Sequence, residues 1–412
     1  MKILILVLSY DDSGIYTEFY KTQKQTWDSL HVDEVETYYY FGNNLQNQLI
    51  GNNIYTDVTE SLINCGKKSI EAFKIVLDMD FDFVFRTNSS SYVDKLLLKK
   101  HLENKPRNNF YSGVVGNHFG IPFCSGSGFV LTKDLVQLLV ENESNLNFDL
   151  IDDVCFGEFI SSKNIPLIDS HRFDIIQNVQ DIDLGFFHYR LKTKNRFYDI
   201  NNMKLIYNKK IKKNNMEKIN SIYEKQCETP SDINEHLPTL FRYAKECKHI
   251  TEMGVRWVSS TWPLLLSEPK KMFSYDIVKH PQIDDVLELT KVYEIDYKFI
   301  EADVLKVEIE ETELLFIDTL HTYNQLTREL ELHSNKCSKY IILHDTTYFG
   351  ERDEIIYEHA SNEIKNVETK KQGLWNAVLD FLDTKEGQVW EVQERYTNNN
   401  GLTILKNKNY KI

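Results

Sequence analysis

Twice along its 412 residues this chain alternates short apolar runs of strand length with segments of helix length. Nothing else in the sequence narrows the fold so far, because such alternation closes as parallel strands joined by crossover helices. The first set runs Ile3 to Leu8, Ile15 to Trp27, Val35 to Phe41, Ser61 to Leu77 and Phe81 to Arg86. The second set has strand-like runs at His249 to Met253, Lys271 to Asp276, Lys298 to Ile300, Leu314 to Asp318 and Tyr340 to His344. Between them Lys204, Lys209, Lys210, Lys212, Lys213 and Lys218 stand among Asn and Tyr, and the stretch closes at Thr229-Pro230. That stretch reads as a solvated basic helix and linker. The predicted organisation is an α/β domain over 1–192, a linker over 193–230 and a second α/β domain over 231–412. Two domains also suit the length, which exceeds what one core usually serves. Val389 to Val392 and Gly401 to Leu405 flank Thr397-Asn398-Asn399-Asn400-Gly401, a turn tolerant of positive φ, so an antiparallel hairpin is expected to end the second sheet.

Lys and Arg number 48 against 62 Asp and Glu, a net charge of −14, so no global basic field exists to attract nucleic acid. The six cysteines form no CxxC pair and have no zinc spacing, which predicts reduced, buried thiols. No stretch has the roughly 18 apolar residues needed to span a bilayer. The opening Met1 to Leu8 meets Ser9-Tyr10-Asp11-Asp12 instead of a cleavage site, so it reads as a buried strand, and a cytoplasmic protein is expected.

Several N-terminal segments, taken in order, resemble the β1,3-galactosyltransferase and Fringe-like glycosyltransferases of the GT-A fold. They are Lys21-Thr22-Gln23-Lys24-Gln25-Thr26-Trp27, Glu60 to Lys68, Ile121 to Thr132, which resembles the family's acceptor-side glycine loop, and Asp152-Asp153-Val154-Cys155-Phe156-Gly157. The resemblance implies a nucleotide-sugar-binding, Rossmann-like domain that passes a sugar to a glycan or glycoconjugate acceptor. Inverting transfer needs a carboxylate to deprotonate the acceptor hydroxyl, and a neighbouring carboxylate keeps one of a pair proton-hungry. Asp153 is the expected base, with Asp152 beside it. The same acids also suit the start of a helix over Val154 to Ile160, where unpaired amides favour them. The family's Asp-x-Asp triplet is absent, for the chain reads Phe85-Arg86-Thr87-Asn88-Ser89-Ser90 there. Either activity is lost, or cations neutralise the diphosphate without a metal. The resemblance places the donor site at Ser9, Tyr10, Lys68, Arg86, Asn88, Ser90, His188 and Arg190.

In the second half, His249-Ile250-Thr251-Glu252-Met253-Gly254 to Thr261 resembles the first motif of class I S-adenosylmethionine (SAM) methyltransferases, although Arg256 and Val258 occupy places often taken by glycine. Glu313 to Tyr323 and Tyr340 to Thr347 are similar to metal-dependent O-methyltransferases acting on sugars or catechols, and to cephalosporin-hydroxylase-type domains. The resemblance implies SAM contacts from Glu252, Gly254, Ser259, Asp276 and Asp303. It also implies a divalent ion, expected to be magnesium, on Asp318 and Asp345, with His321 taking the proton of the substrate hydroxyl. For His321 and the two acids, a helix-start residue and simple caps are the alternative. The combined expectation is an enzyme of glycan assembly that transfers a sugar and O-methylates a sugar or glycan. Two alternatives stand beside it: an active methyltransferase carrying a glycan-binding module, or two non-catalytic scaffolds.

Overall fold

The structure, a computed structural model, describes residues 1–177, 181–291, 295–355 and 371–410. The chain forms two compact units, Met1–Lys210 and Ile211–Ile412. Both are α/β with parallel-rich sheets.

Unit 1 begins β1 (Ile3–Leu8), α1 (Ile15–Gln25), β2 (Val35–Phe41), β3 (Gln48–Ile50), β4 (Asn53–Tyr55), α2 (Cys65–Val76), β5 (Phe83–Asn88) and β6 (Ser91–Val93). It continues α3 (Lys95–Leu102), β7 (Tyr111–His118), β8 (Ile121–Thr132), α4 (Lys133–Glu141), α5 (Asp152–Ser162), β9 (Leu167–Asp169), β10 (Phe173–Ile175) and β11 (His188–Leu191). One sheet has the order β3, β4, β2, β1, β5, β8, β7, β9, and a smaller one has β10, β11, β6. β1 is apolar throughout because both its faces are covered: Ile3, Ile5 and Val7 enter one core, Leu4 and Leu6 the other. The expected largely parallel sheet holds for β4, β2, β1 and β5. β8, however, runs antiparallel to both β5 and β7, so the glycine segment Ile121 to Thr132 is a twelve-residue strand rather than a loop. Its glycines serve close approach: a Cβ on Gly128 would collide with the His188 and Phe85 rings.

Residues 196–228 of the expected linker are one helix, α6 (Arg196–Glu228), and the boundary between units falls within it. Within unit 1, Ile200, Met203 and Ile206 of this helix join the core; within unit 2, Ile219 does. Their spacing is helical, but the surrounding Lys and Asn dilute it in the sequence.

Unit 2 continues α7 (Leu237–Ala244), β12 (His249–Met253), α8 (Thr261–Leu266), β13 (Lys271–Asp276), α9 (Ile283–Thr290) and β14 (Asp296–Glu301). Then follow β15 (Thr312–Ile317), α10 (Tyr323–His333), β16 (Cys337–His344), α11 (Leu374–Asp383), β17 (Trp390–Tyr396) and β18 (Leu402–Asn407). The sheet order is β14, β13, β12, β15, β16, β18, β17. β12 to β16 are parallel, and β17 and β18 close the Rossmann-like sheet as the antiparallel hairpin read from the sequence. Asn399, Asn400 and Gly401 in its turn have φ of 47°, 67° and 97°. Among the described residues no helix is long and apolar enough to cross a membrane.

Candidate functional site

In unit 2 the winding reverses between β12 and β15, and the loops leaving those strands open the crevice where such sheets bind ligands. The loop after β12 is built on left-handed backbone: Gly254 has φ 81°, Arg256 39° and Val258 66°. A Cβ on Gly254 would strike the Asp318 carbonyl, so glycine is required there. Arg256 and Val258 hold a conformation that glycine adopts freely, and a β-branched residue in it is strained by about 1 to 3 kcal/mol. Asp276, ending β13, braces this loop. Its Oδ2 accepts the Val255 and Arg256 amides at 2.8 and 3.0 Å, and its Oδ1 accepts the Val278 amide at 3.1 Å. Trp257, Ile277 and Val278 are exposed, forming an apolar rim in the same two loops, and Ser259 is half-buried.

Glu252 faces inward instead. It is fully buried, and its carboxylate accepts hydrogen bonds from Ser260, Thr261 and Ser274 at 2.6, 2.9 and 2.6 Å. Burial pushes its carboxyl up to about 7, against the pull of those three hydroxyls. Glu252, expected as a cofactor contact, thus sits in the interior with its carboxylate held by three hydroxyls. Asp303 closes its own turn, accepting the Leu305 amide at 3.0 Å and pairing with Lys306 at 2.9 Å.

β15 and β16 end side by side, which brings Asp318 and His344-Asp345 together. Asp318, His321 and Asp345 each offer a donor atom within 4.8 Å of the others. His321 Nε2 lies 3.1 Å from Asp318 Oδ1 and 3.0 Å from Asp345 Oδ2, while its Nδ1–H donates to Glu354 at 2.8 Å. Its ring stacks on Phe349 with centroids 4.9 Å apart. Burial disfavours the His321 cation, but hydrogen bonds to Asp318, Asp345 and Glu354 carry its pKa up to about 12. Burial alone would raise the Asp318 carboxyl, yet His344 and His321 hold it well below the carboxylate range. Asp345 is buried with φ 59°, and its Oδ1 accepts no hydrogen bond from the described residues. The C-terminal turn supports its loop, for the Thr347 and Tyr348 amides both donate to the Asn400 carbonyl at 2.9 Å. A buried, unpartnered carboxylate oxygen among converging oxygen and nitrogen donors fits a divalent cation. Glu354 and His344 complete the cluster. The only sign of His344 in the sequence is its place beside Asp345 at a strand end.

In unit 1, Asp152 and Asp153 open α5, but neither caps it, since Ile151 is the cap residue. Asp153 Oδ2 accepts the Gly126 amide at 2.6 Å, and its Oδ1 accepts the amide of Val154 at 3.0 Å. Burial, followed by the Asp152 charge, raises its pKa, the direction expected of a paired base. Asp152 forms an ion pair with Arg86, whose guanidinium also donates to the Gly126 carbonyl and, at 3.0 Å, to the Tyr40 hydroxyl. Arg86 is therefore a buried strut and not a free diphosphate contact. Lys68 is similarly engaged, donating to Glu60 at 2.7 Å and to the Ser9 carbonyl at 2.9 Å. His188 bonds Ser91 at 3.1 Å, and burial drives its pKa down to about 3, so it contributes no cation at neutral pH. Asn88 accepts the Ser90 amide at 3.0 Å, Ser90 Oγ accepts from Arg196, and Tyr10 lies exposed against Tyr16. Arg190 remains partly open, 3.8 Å from Asp174. Beside it is Arg172, which sequence reading missed; it donates to Ser127 Oγ at 2.6 Å and to Asp174 at 2.5 Å.

No protein-family model matches the chain, and no curated protein matches it. Among solved structures it is similar to a putative caffeoyl-CoA O-methyltransferase from Staphylococcus aureus, at 14% identity over 47% of this chain and 91% of that one, with a TM-score of 0.32. The O-methyltransferase from Bacillus cereus in complex with SAH is 12% identical over 47% and 90%, with a TM-score of 0.32. The SAH-bound methyltransferase PaMTH1 of Podospora anserina is 13% identical over 48% and 88%, with a TM-score of 0.29.

Proposed function

We propose that unit 2 is a SAM-dependent O-methyltransferase acting on a sugar or glycan hydroxyl. The observation that carries this reading is the meeting, at one switch point, of the left-handed loop braced by Asp276 and the Asp318, His321 and Asp345 cluster. SAM supplies an electrophilic methyl group, for which Gly254, Ser259 and Asp276 form the candidate seat. Asp318 and Asp345 would hold a divalent ion, which would lower the pKa of a bound hydroxyl. Glu354 fixes the His321 ring through Nδ1, and with an ion offsetting the charge of Asp318 and Asp345, Nε2 would be free to accept the substrate proton. For unit 1 we propose sugar transfer from a nucleotide sugar without a metal, with Asp153 as base and Arg190 and Arg172 facing the diphosphate. One observation favours a second reading, that of a glycan-binding module: Arg86 and Lys68 are consumed by internal partners.

Calorimetry with SAM, followed by methyl-transfer assays on sugars and glycans, tests the first proposal. Expected are SAM binding that survives EDTA and turnover that does not, with His321→Ala lowering turnover by about two orders of magnitude or more. No SAM binding removes the methyl-transfer reading. Release of sugar from a nucleotide sugar in EDTA supports transfer in unit 1, and its absence leaves the binding module.

A further inference from the structure

The methyl-transfer reading puts a divalent ion on two carboxylates, and the structure turns a third donor on the same point. His344 ends β16, and its side chain is 1% exposed. Its Nε2–H donates to the Asp232 carbonyl at 3.1 Å. A carbonyl only accepts, so Nε2 carries a hydrogen and Nδ1 is the nitrogen turned toward the carboxylates. That Nδ1 lies 3.3 Å from Asp318 Oδ1 and 3.5 Å from Asp345 Oδ1. This Nδ1–H donates to Asp318, and an ion held by the two carboxylates would take that proton's place.

Two further observations point to an ion in that proton's place. Asp345 Oδ1 is buried without a hydrogen bond, and the left-handed backbone at Asp345 holds it there. An acceptor behind the far nitrogen of an imidazole is also the arrangement that orients metal-bound histidines. Ligands about 2.0 to 2.2 Å from a shared ion stand about 3 to 3.5 Å from one another, and His344 Nδ1 lies at 3.3 and 3.5 Å from the two carboxylate oxygens. His321 differs in kind. Its side chain is 12% exposed and it rests on a carboxylate, so it can pass a proton onward. The His344 ring is sealed, with a backbone carbonyl as its outer contact, and has no route for a proton.

We propose that His344 Nδ1 is a metal ligand beside Asp318 and Asp345, and that the site takes a nitrogen-accepting transition ion, manganese(II), iron(II) or zinc(II), in preference to magnesium. The inference deepens the methyl-transfer reading and rests on it for what the ion does. Magnesium prefers oxygen ligands and its own waters, whereas imidazole suits the later ions. The ion expected from the sequence therefore changes.

The test uses the full chain, stripped with chelator and without SAM. Manganese(II) is titrated by electron paramagnetic resonance and magnesium by calorimetry, and the bound manganese is then examined by pulsed resonance for nitrogen coupling. Expected are one manganese per chain, a preference over magnesium of about 100-fold, and coupling to one imidazole nitrogen. His344→Glu should erase the coupling and shrink the preference by about tenfold or more, while His321→Gln should keep both. Circular dichroism checks each fold, and His344→Gln stands in if the Glu variant does not fold. Equal affinity for the two ions overturns the proposal, as does coupling that survives at residue 344 and vanishes with His321→Gln. Nitrogen coupling without SAM binding would sink the methyl-transfer reading and leave the site standing.

Discussion

Glu252 shows how a motif residue's position can be read from sequence while its surroundings cannot. Its place at the end of β12 is legible, because an apolar run stops at Met253-Gly254. Its orientation is not, since Ser260, Thr261 and Ser274 converge on it from other elements. Arg86 is a parallel case: its partner Asp152 lies 66 residues away, and no local pattern announces the pair. His344 was hidden for the same reason, as its meaning depends on Asp318 in a neighbouring strand. The buried Glu252 makes stability depend on pH. A carboxyl raised from 4.5 to about 7 binds more protons folded than unfolded, so its contribution to stability falls as pH rises through that window. The fall is expected to reach roughly 3 kcal/mol. In urea denaturation the stability gap between wild type and Glu252→Gln should therefore narrow from pH 4.5 to pH 8. A gap that widens would mean that the carboxylate is charged in the folded chain.

At the scale of elements, the strands were legible where burial is two-sided: β1, β2, β12 and β13 begin and end at the residues read from the apolar runs. β8 was misread because Gly and Ser are rare in strands, and only the packed His188 and Phe85 rings explain their presence. The loop after β12 raises a different point, since its incomplete glycine pattern concealed an intact left-handed course. Arg256 is exposed, so Arg256→Gly should relieve backbone strain and raise stability by about 1 kcal/mol. Val258 is fully buried, so Val258→Gly should cost about 2 kcal/mol despite the same relief, because the lost side chain leaves a cavity. Urea midpoints measure both. If both variants gain stability, Val258 is not packed as described.

At the scale of the whole molecule, the sequence revealed two α/β halves but not their boundary, because α6 carries few apolar residues to mark which core receives it. The units have separate cores, and ligands should report on them separately. SAM at about 100 times its dissociation constant should stabilise unit 2 by about 2.7 kcal/mol and leave the unfolding of unit 1 in place, with a nucleotide sugar doing the reverse. Hydrogen exchange resolved by peptide reads this directly, and protection by SAM in unit 1 would contradict the assignment. The hairpin that supports Asp345 also sets an order of events during synthesis. β18 leaves the ribosome after β17, yet it lies between β17 and β16. Until it arrives, β16 presents an open edge and the Asn400 carbonyl that fastens the Asp345 loop is missing. Unit 1 is then already complete in sequence, so a translating population would hold many chains with a finished first half and an unfinished, adhesive second one.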